Sequence, residues 1–258
     1  MLEDADLEVA ARGIAFGSLM HSGQVCMSTE RVLVQSNVHE ELSKRIVEVV
    51  SKLRAGDATT SAQLSALFSA ESAENVIAQL NDAVEKGAKT LLLSATVAEG
   101  SNKTVIQPQV VTGVKPGMGL WQRETFGPII ALTTFETVDE AVQLANDSDY
   151  SLIAGLWTRS LEHALAVAPR IRAGSVQVNG ATIHVEPAFG NAGLGGASGY
   201  GRFNVDAVRL LLPRAAAWLT RRRLSSRTCA RSPSTRRRES SHSLVRYWDS
   251  MESRDRET

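Results

Sequence analysis

The sequence is short of cysteine, of aromatic residues and of long apolar runs. Two of its 258 residues are cysteines, Cys26 and Cys229, too few and too far apart to predict a disulfide framework or a cysteine-based metal cluster. We therefore expect no metal site, and a reducing compartment in which a thiol is either buried or reactive. Aromatic residues make up 5% of the chain, a low share that excludes no class of protein.

Apolar runs are also too short to predict a membrane span, which needs roughly 18 residues. The segment from Met1 to Asp6 is acidic, the wrong charge for a secretory signal or an organelle transit peptide. The composition, 43% hydrophobic and 22% charged, is ordinary for a globular domain. These features predict a cytoplasmic protein without a membrane partner.

The net charge of zero hides two regions of opposite sign. Residues 1–208 carry 15 lysines and arginines against 23 acidic residues, whereas residues 209–258 carry 13 arginines, no lysine and 5 acidic residues. This change predicts a domain boundary near residue 208, with a folded region before it and an irregular, disordered Arg-rich tail after it. No aromatic residues interleave the arginine runs at 221–223 and 236–238, and no nucleic-acid-binding motif accompanies them, so we expect no nucleic-acid partner.

Hydrophobic periodicity predicts alternating helices and strands over residues 1–208. The predicted helices are 5–21, 38–54, 70–86, 137–146 and 160–170, and the predicted strands are 31–34, 90–94, 104–111, 128–135, 152–157 and 174–178. Such alternation with short connections is typical of an α/β fold, with a largely parallel sheet flanked by helices. The glycine-rich segment 189–201 does not lie between a strand and a helix, so it predicts a long surface loop rather than a phosphate-binding turn.

Cys26 follows the first predicted helix, in the segment Ser-Gly-Gln-Val-Cys that begins at Ser22. Gly23 allows a sharp backbone turn, and small polar neighbours leave room for a ligand beside the thiol. His21 and His184 are candidate bases for a cysteine hydrolase, but His21 is five residues from Cys26 across a helix end, a poor geometry for such a pair. On this evidence alone, a lone cysteine is more often structural than catalytic.

A second candidate site is the segment Arg-Glu-Thr-Phe-Gly-Pro that begins at Arg123, directly before the strongest predicted strand. A carboxylate and an aromatic ring two residues apart, held by a Gly-Pro turn, suit a polar ligand with a flat ring. Ribose hydroxyls can donate to Glu124 while Phe126 packs against the ring. Taken alone, these six residues are more typical of an ordinary turn with a solvated acid.

Together the segments resemble the aldehyde dehydrogenase superfamily over about residues 2–203. The matching segments are Leu2–Leu7, Ser22–Cys26, Glu124–Pro128, Gly174–Asn179 and Ala197–Arg202. The cysteine segment and the Glu-x-Phe-Gly-Pro segment are highly specific as a pair. Within the superfamily, the sequence is most similar to the branch that oxidises aromatic aldehydes, such as salicylaldehyde and vanillin.

The resemblance implies an enzyme that oxidises a small-molecule aldehyde to a carboxylic acid with NAD or NADP. Cys26 would be the catalytic nucleophile. Glu124 would bind the nicotinamide ribose, and Phe126 would steady the nicotinamide ring. Phe189 resembles a substrate-pocket aromatic, although the loop after it is longer than the family's. The partners expected besides the aldehyde are a second copy of the chain or a full-length relative.

The family places its cofactor domain before the cysteine, and here 25 residues precede Cys26. The resemblance therefore implies that most of that domain is missing. We expect this chain alone to bind NAD or NADP weakly, to turn over little, and to expose an apolar face where the domain would dock. Two alternatives stay open: a non-catalytic remnant that acts as an interaction module, and a thiol esterase that needs only the thiol and an oxyanion donor.

Overall fold

The computed structural model describes residues 1–92, 103–181, 191–200, 202–203 and 217–220. Its α-helices are α1 (Leu7–Leu19), α2 (Ser36–Val50), α3 (Ala70–Glu85), α4 (Gly119–Gln122), α5 (Val138–Asn146) and α6 (Leu161–Val167). Its strands are β1 (Arg31–Gln35), β2 (Lys89–Thr90), β3 (Gln109–Thr112), β4 (Ile129–Phe135), β5 (Ile153–Leu156), β6 (Ser175–Val178), β7 (Asn191–Ala192), β8 (Arg202–Phe203) and β9 (Ala217–Thr220). Short 3-10 turns cover Met20–Gly23, Ala168–Arg170 and Gly196–Ser198. The chain divides into compact units at Arg221, and the second unit lies outside the described residues.

β4 is an inner strand of a four-stranded sheet with the order β1-β4-β3-β2. β1 and β3 both run parallel to β4, and β2 pairs antiparallel with β3 at the edge. The inner position of β4 follows from its sequence, because its side chains are buried at every position but Thr134. A strand that is buried on both sides must be covered on both faces of its sheet.

Helices supply that cover. α3 and α4 pack on the face that carries Ile129 and Ala131. The alternate residues of β4 point to the other face. These are Ile130 and Leu132, and both are fully buried. α1 and α2 pack against each other and contact strands of this sheet. The predicted fold class, a largely parallel α/β sheet flanked by helices, is confirmed.

A second sheet has the order β5-β6-β9, and each neighbouring pair is parallel. α5 and α6 pack with its strands in one apolar cluster that includes Val176 and Val178. β9 lies within the segment predicted to be irregular, so residues 217–220 differ from that prediction. The strand forms because a short Ala-Trp-Leu-Thr run pairs with β6, a strand about forty residues earlier in the chain whose side chains are all buried. A further pair, β7 and β8, is antiparallel.

Several predicted element ends differ from the structure by a few residues. The helix predicted over 38–54 runs from Ser36 to Val50, because the chain then turns and pairs Ala55 with Leu64 in an isolated bridge. The strands predicted over 90–94 and 104–111 are observed as the shorter β2 and β3, and residues 93–102 lie outside the described part.

Arg31 ties the start of β1 to the end of α5. Its guanidinium donates to the carbonyls of Leu144, Asp147 and Ala145 at 3.3, 2.9 and 3.2 Å. It also lies 4.6 Å from the centre of the Trp121 ring. The last carbonyls of a helix lack partners within the helix and carry partial negative charge, so a cation there stabilises the helix end.

Candidate active site

The turn that leads into Cys26 has a strained backbone. His21, Ser22 and Gly23 follow one another with φ of 52°, 58° and 75°, in the left-handed region that residues with a Cβ adopt at a cost. The Ser22 hydroxyl donates to the Ser65 carbonyl at 2.7 Å and so holds the turn against a neighbouring loop. Strain of this kind persists where the surrounding structure fixes it.

Gln24 fixes the next residue of the same turn. Its Nε2 donates to the His21 carbonyl at 3.2 Å, and its Oε1 accepts the Phe68 N–H at 2.9 Å. The Nε2 contact closes the turn on itself, and the Oε1 contact attaches the turn to a loop more than forty residues away in the chain. Cys26, two residues further on, is a free and exposed thiol, so the fixed backbone delivers the thiol to the surface.

Cys26 lies on the wall of a cavity of about 490 Å³, within the size range of small-molecule sites. Glu124 lines the same cavity, together with polar and apolar residues that include Glu30 and Trp157. The structure thus brings together Cys26 and Glu124, which are far apart in the chain. Phe126 is half-buried and is not among the described residues that line this cavity. The predicted site residue Phe189 lies outside the described residues.

Glu124 is carried by a turn, residues 124–127, that connects α4 to β4. Tyr150 Oη accepts the Glu124 N–H at 3.2 Å, and Gln79 Nε2 donates to the Glu124 carbonyl at 3.2 Å. Phe126 has φ of 52° and is a further non-glycine residue in the left-handed region. The backbone around Glu124 is therefore fixed while its side chain is exposed. Partial burial still raises the pKa of Glu124 above its ordinary value.

Glu30 completes the contacts of the 124–127 turn, and reasoning from the sequence missed it. Its Oε2 accepts the Thr125 N–H at 2.9 Å, and its Oε1 accepts the Phe126 N–H at 3.2 Å. Burial raises the pKa of Glu30, and the two N–H donors oppose that rise. The sequence showed only an acidic residue between a candidate nucleophile and a predicted strand. At such a position an acidic side chain is ordinarily interpreted as solvated.

Two glycines bring the predicted segments into direct backbone contact. A Cβ on Gly23 would lie 2.2 Å from the Gly127 carbonyl oxygen, and a Cβ on Gly127 would lie 2.4 Å from Val76 Cγ2. Neither position can carry a side chain unless its neighbours move. The absence of a side chain at Gly23 allows the cysteine turn to approach the 124–127 turn, and its absence at Gly127 allows α3 to pack against that turn.

The described part of the glycine-rich segment borders the same cavity, where Ala197 and Ser198 contribute to the wall. Ser151 attaches this part: its N–H donates to Ser198 Oγ, and its hydroxyl donates to the Gly195 carbonyl, both at 2.9 Å. The Leu194 N–H donates back to Ser151 Oγ at 2.9 Å. The sequence predicted a surface loop here, and the structure adds a fixed attachment beside the site.

The described part of the chain offers a limited set of chemical groups. Within those ranges, no three His, Cys, Asp or Glu side chains are grouped so that they could hold a metal ion. No helix in the same ranges is long and apolar enough to cross a membrane. The cavity itself combines a thiol, two carboxylates and hydroxyl groups, which suit attack on a carbonyl carbon and the binding of a hydroxyl-rich ligand.

Comparison with known proteins matches the chain to one family. The aldehyde dehydrogenase family model covers residues 1–210. The vanillin dehydrogenase of Pseudomonas fluorescens is 38% identical over 208 residues, which make up 80% of this chain and 42% of that protein. The resemblance found in the sequence motifs is confirmed over nearly the same residues.

Solved structures agree with this match. The salicylaldehyde dehydrogenase from Pseudomonas putida G7, complexed with salicylaldehyde, has a TM-score of 0.74 and 34% identity over 81% of this chain and 42% of that one. An NAD-dependent aldehyde dehydrogenase from Sinorhizobium meliloti has a TM-score of 0.72 and 36% identity over 78% of this chain and 40% of that one. The chain therefore spans about two fifths of the length of the relatives that it matches.

Proposed function

The chain belongs to the aldehyde dehydrogenase family, and from this premise we propose that it contributes the catalytic site of an enzyme that oxidises an aldehyde to a carboxylic acid with NAD or NADP. The observation that carries the proposal is the position of Cys26 and Glu124 on the wall of one cavity. An exposed thiol provides the nucleophile, and an exposed carboxylate on the wall of the same cavity provides acceptors for hydroxyl groups.

In the proposed reaction, the Cys26 thiolate attacks the carbonyl carbon of the aldehyde and forms a thiohemiacetal through a new C–S bond. The Cys26 backbone N–H helps to hold the oxyanion that develops on the carbonyl oxygen. Loss of a hydride converts the thiohemiacetal to a thioester, and water then releases the carboxylic acid and the free thiol. The strained turn before Cys26 supports this role, because it fixes the direction in which the thiol is presented.

The residues of the 124–127 turn fit the nicotinamide riboside part of NAD or NADP. The Glu124 carboxylate is exposed at the cavity and can accept two ribose hydroxyls, while the half-buried Phe126 provides an apolar ring in the same turn. When bound, the cofactor supplies the acceptor for the hydride. The protein's part is to hold the ribose at Glu124 so that the ring lies near Cys26.

We propose an aromatic aldehyde as the substrate. The support is the similarity to proteins named for vanillin and salicylaldehyde, together with apolar cavity residues such as Ile14 and Trp157 that suit a flat ring. Phe189 is the proposed further contact to that ring. The 258-residue chain would act as a homo-oligomer or beside a full-length relative, in a reducing cytoplasmic compartment that keeps the Cys26 thiol free.

The test is the rate at which iodoacetamide alkylates Cys26, followed by mass spectrometry with and without NAD and benzaldehyde. We expect benzaldehyde to slow the alkylation, because the reversible thiohemiacetal occupies the thiol, and NAD to change the rate by binding beside it. Cys229 serves as an internal reference whose rate should not respond, and Cys26→Ser identifies the Cys26 signal. A Cys26 rate indifferent to both ligands would contradict the proposal.

A thiol esterase gives a different outcome in the same test. Such an enzyme would release nitrophenol from p-nitrophenyl acetate through Cys26, without any response of alkylation to NAD. A non-catalytic remnant would show neither ester hydrolysis nor a ligand effect on Cys26. These three patterns separate the proposed dehydrogenase from both alternatives.

A further inference from the structure

The carboxylate of the half-buried Glu30 lies where it can control the turn that carries Glu124. We propose that Glu30 is the positioning residue for this turn: by holding the backbone of Thr125 and Phe126, it sets where the Glu124 carboxylate meets the ribose. The functional part of the inference rests on the proposed role of Glu124. The structural part rests on contacts in the protein alone.

The geometry of the contact is specific to a carboxylate. The two oxygens of Glu30 are divided between two successive backbone N–H groups, with Oε2 at 2.9 Å from the Thr125 nitrogen and Oε1 at 3.2 Å from the Phe126 nitrogen. Interaction with the Thr125 side chain further opposes the rise in the pKa of this carboxyl group. Successive N–H groups that point at one anion form a concave anion-binding arrangement, and here the anion is a side chain of the same protein.

The backbone conformation explains why such an anchor is needed. Phe126 has φ of 52°, a conformation that costs an aromatic residue free energy and that persists where its surroundings impose it. The Phe126 N–H donates a hydrogen bond to Glu30 Oε1. Removal of that acceptor therefore removes a contact that keeps Phe126 in the left-handed region, and with it the fixed direction of the neighbouring Glu124.

Glu30 also connects the two halves of the site. It lies four residues after Cys26 and directly before β1, and it lines the same cavity as Cys26 and Glu124. The adjacent Arg31 directs its guanidinium to carbonyl groups at the end of α5. The segment 26–30 therefore carries the proposed nucleophile at one end and the anchor of the cofactor-binding turn at the other.

The test is residue-resolved amide hydrogen exchange by NMR on the full 258-residue chain with Glu30→Gln. An amide side chain has one acceptor oxygen, and its NH2 group would face a backbone N–H. We expect exchange at Thr125, Phe126 or both to become roughly tenfold faster because a hydrogen bond is lost, with exchange in β4 unchanged. Glu30→Asp keeps the charge but is one methylene shorter, so it should give an intermediate effect and serves if Glu30→Gln does not fold.

Asp82→Asn is the matched control, because the Asp82 carboxylate accepts a backbone N–H, that of Gly119 at 2.7 Å, in the helix directly before the turn. This variant should change exchange at Gly119 and leave Thr125 and Phe126 as in the parent chain. Unchanged exchange at both turn amides in Glu30→Gln overturns the proposal. An equally large effect there in Asp82→Asn also overturns it, because the turn would then respond to any loosening nearby.

The functional part is read from the effect of NAD on Cys26 alkylation. Glu30→Gln should weaken this effect by raising the NAD concentration that it requires, as Glu124→Gln should, but Glu124→Gln should leave the turn amides protected. If NAD has no effect on the parent chain, the proposed function fails while the exchange data still decide the positioning role. If NAD acts equally on the parent chain and on Glu30→Gln, the positioning of Glu124 by Glu30 is wrong.

Discussion

At the residue scale, the site depends on backbone conformations that most residues avoid. His21, Ser22 and Phe126 are non-glycine residues in the left-handed region, and Gly23 continues the run. The conformations of Ser22, Gly23 and Phe126 are matched by a hydrogen bond or a close backbone approach from another segment, such as the approach of Gly23 to Gly127. The free energy stored in these residues is therefore balanced by contacts that also define the cavity.

Gly23→Ala tests this balance. Gly87 has φ of 97°, and a Cβ added there would meet open space among the described residues, whereas a Cβ on Gly23 would meet the Gly127 carbonyl oxygen at 2.2 Å. We expect Gly87→Ala to lower the free energy of unfolding by about 1–2 kcal/mol from conformation alone. Gly23→Ala should cost about 1–3 kcal/mol more, because the two segments must separate. If urea unfolding showed equal losses of unfolding free energy in the two variants, the close approach of Gly23 to Gly127 would be contradicted.

His39 should make stability depend on pH. Its Nε2 lies 2.8 Å from Thr112 Oγ1, and burial lowers the pKa of His39 below its ordinary 6.5, partly offset by Glu40. The folded protein then binds this proton less readily than the unfolded chain. Stability is full above about pH 6.5, declines as the pH falls from there to the lowered pKa, and levels off below it. His39→Gln should make the thermal unfolding temperature depend less on pH between about pH 7 and 5. An unchanged dependence on pH would contradict this.

Motif chemistry in the sequence predicted Cys26 and Glu124 as site residues, because both stand in segments whose order and spacing are specific to one family, and both line one cavity. Glu30 was missed for a physical reason. Its role depends on two backbone N–H groups about 95 residues away, and no side-chain pattern reports where backbone donors will lie after folding. Glu30 can be told from a solvated acidic residue only by the three-dimensional geometry of the 124–127 turn.

At the element scale, Arg31 connects three elements: it begins β1, bonds to carbonyls at the end of α5, and stacks on Trp121 at α4. We expect Arg31→Met to lower the free energy of unfolding by about 2–3 kcal/mol, because charge-assisted hydrogen bonds are lost while most of the packing remains. Arg31→Lys should recover only part of this loss, because the ammonium group of lysine lacks the planar, forked donors with which the guanidinium binds several carbonyls at once. A loss within about 0.5 kcal/mol for Arg31→Met would show that these bonds add little.

The alternation of elements was predictable, and several of their ends were not. Apolar runs such as Ile129–Phe135 identify an inner strand without tertiary information. In contrast, Val50 ends α2 because the chain must reach the Ala55–Leu64 bridge, a tertiary requirement. β9 was missed because its four residues lie between arginines, and its pairing depends on an open edge of β6.

At the scale of the whole molecule, exposed apolar side chains should favour association. Leu161 and Leu165, one turn apart on α6, are 52% and 55% exposed, so they form one apolar strip. We expect the double variant Leu161→Gln, Leu165→Gln to lower the binding of a hydrophobic dye and the concentration-dependent mass seen by light scattering. Val9→Gln, at a residue of α1 that is 37% exposed, is the control. A parent chain that is monomeric and binds no dye would contradict the prediction.

The contact between Gly23 and Gly127 has a consequence for how the protein is made. The segments meet across about 100 residues of chain, and contacts so distant in sequence form late, because closing a long loop costs entropy first. A nascent chain therefore carries Cys26 out of the ribosome long before the turn beside it has been synthesised. During that interval Cys26 lacks the segment that later lies beside its turn, so the proposed site can form only after the fold around it is complete.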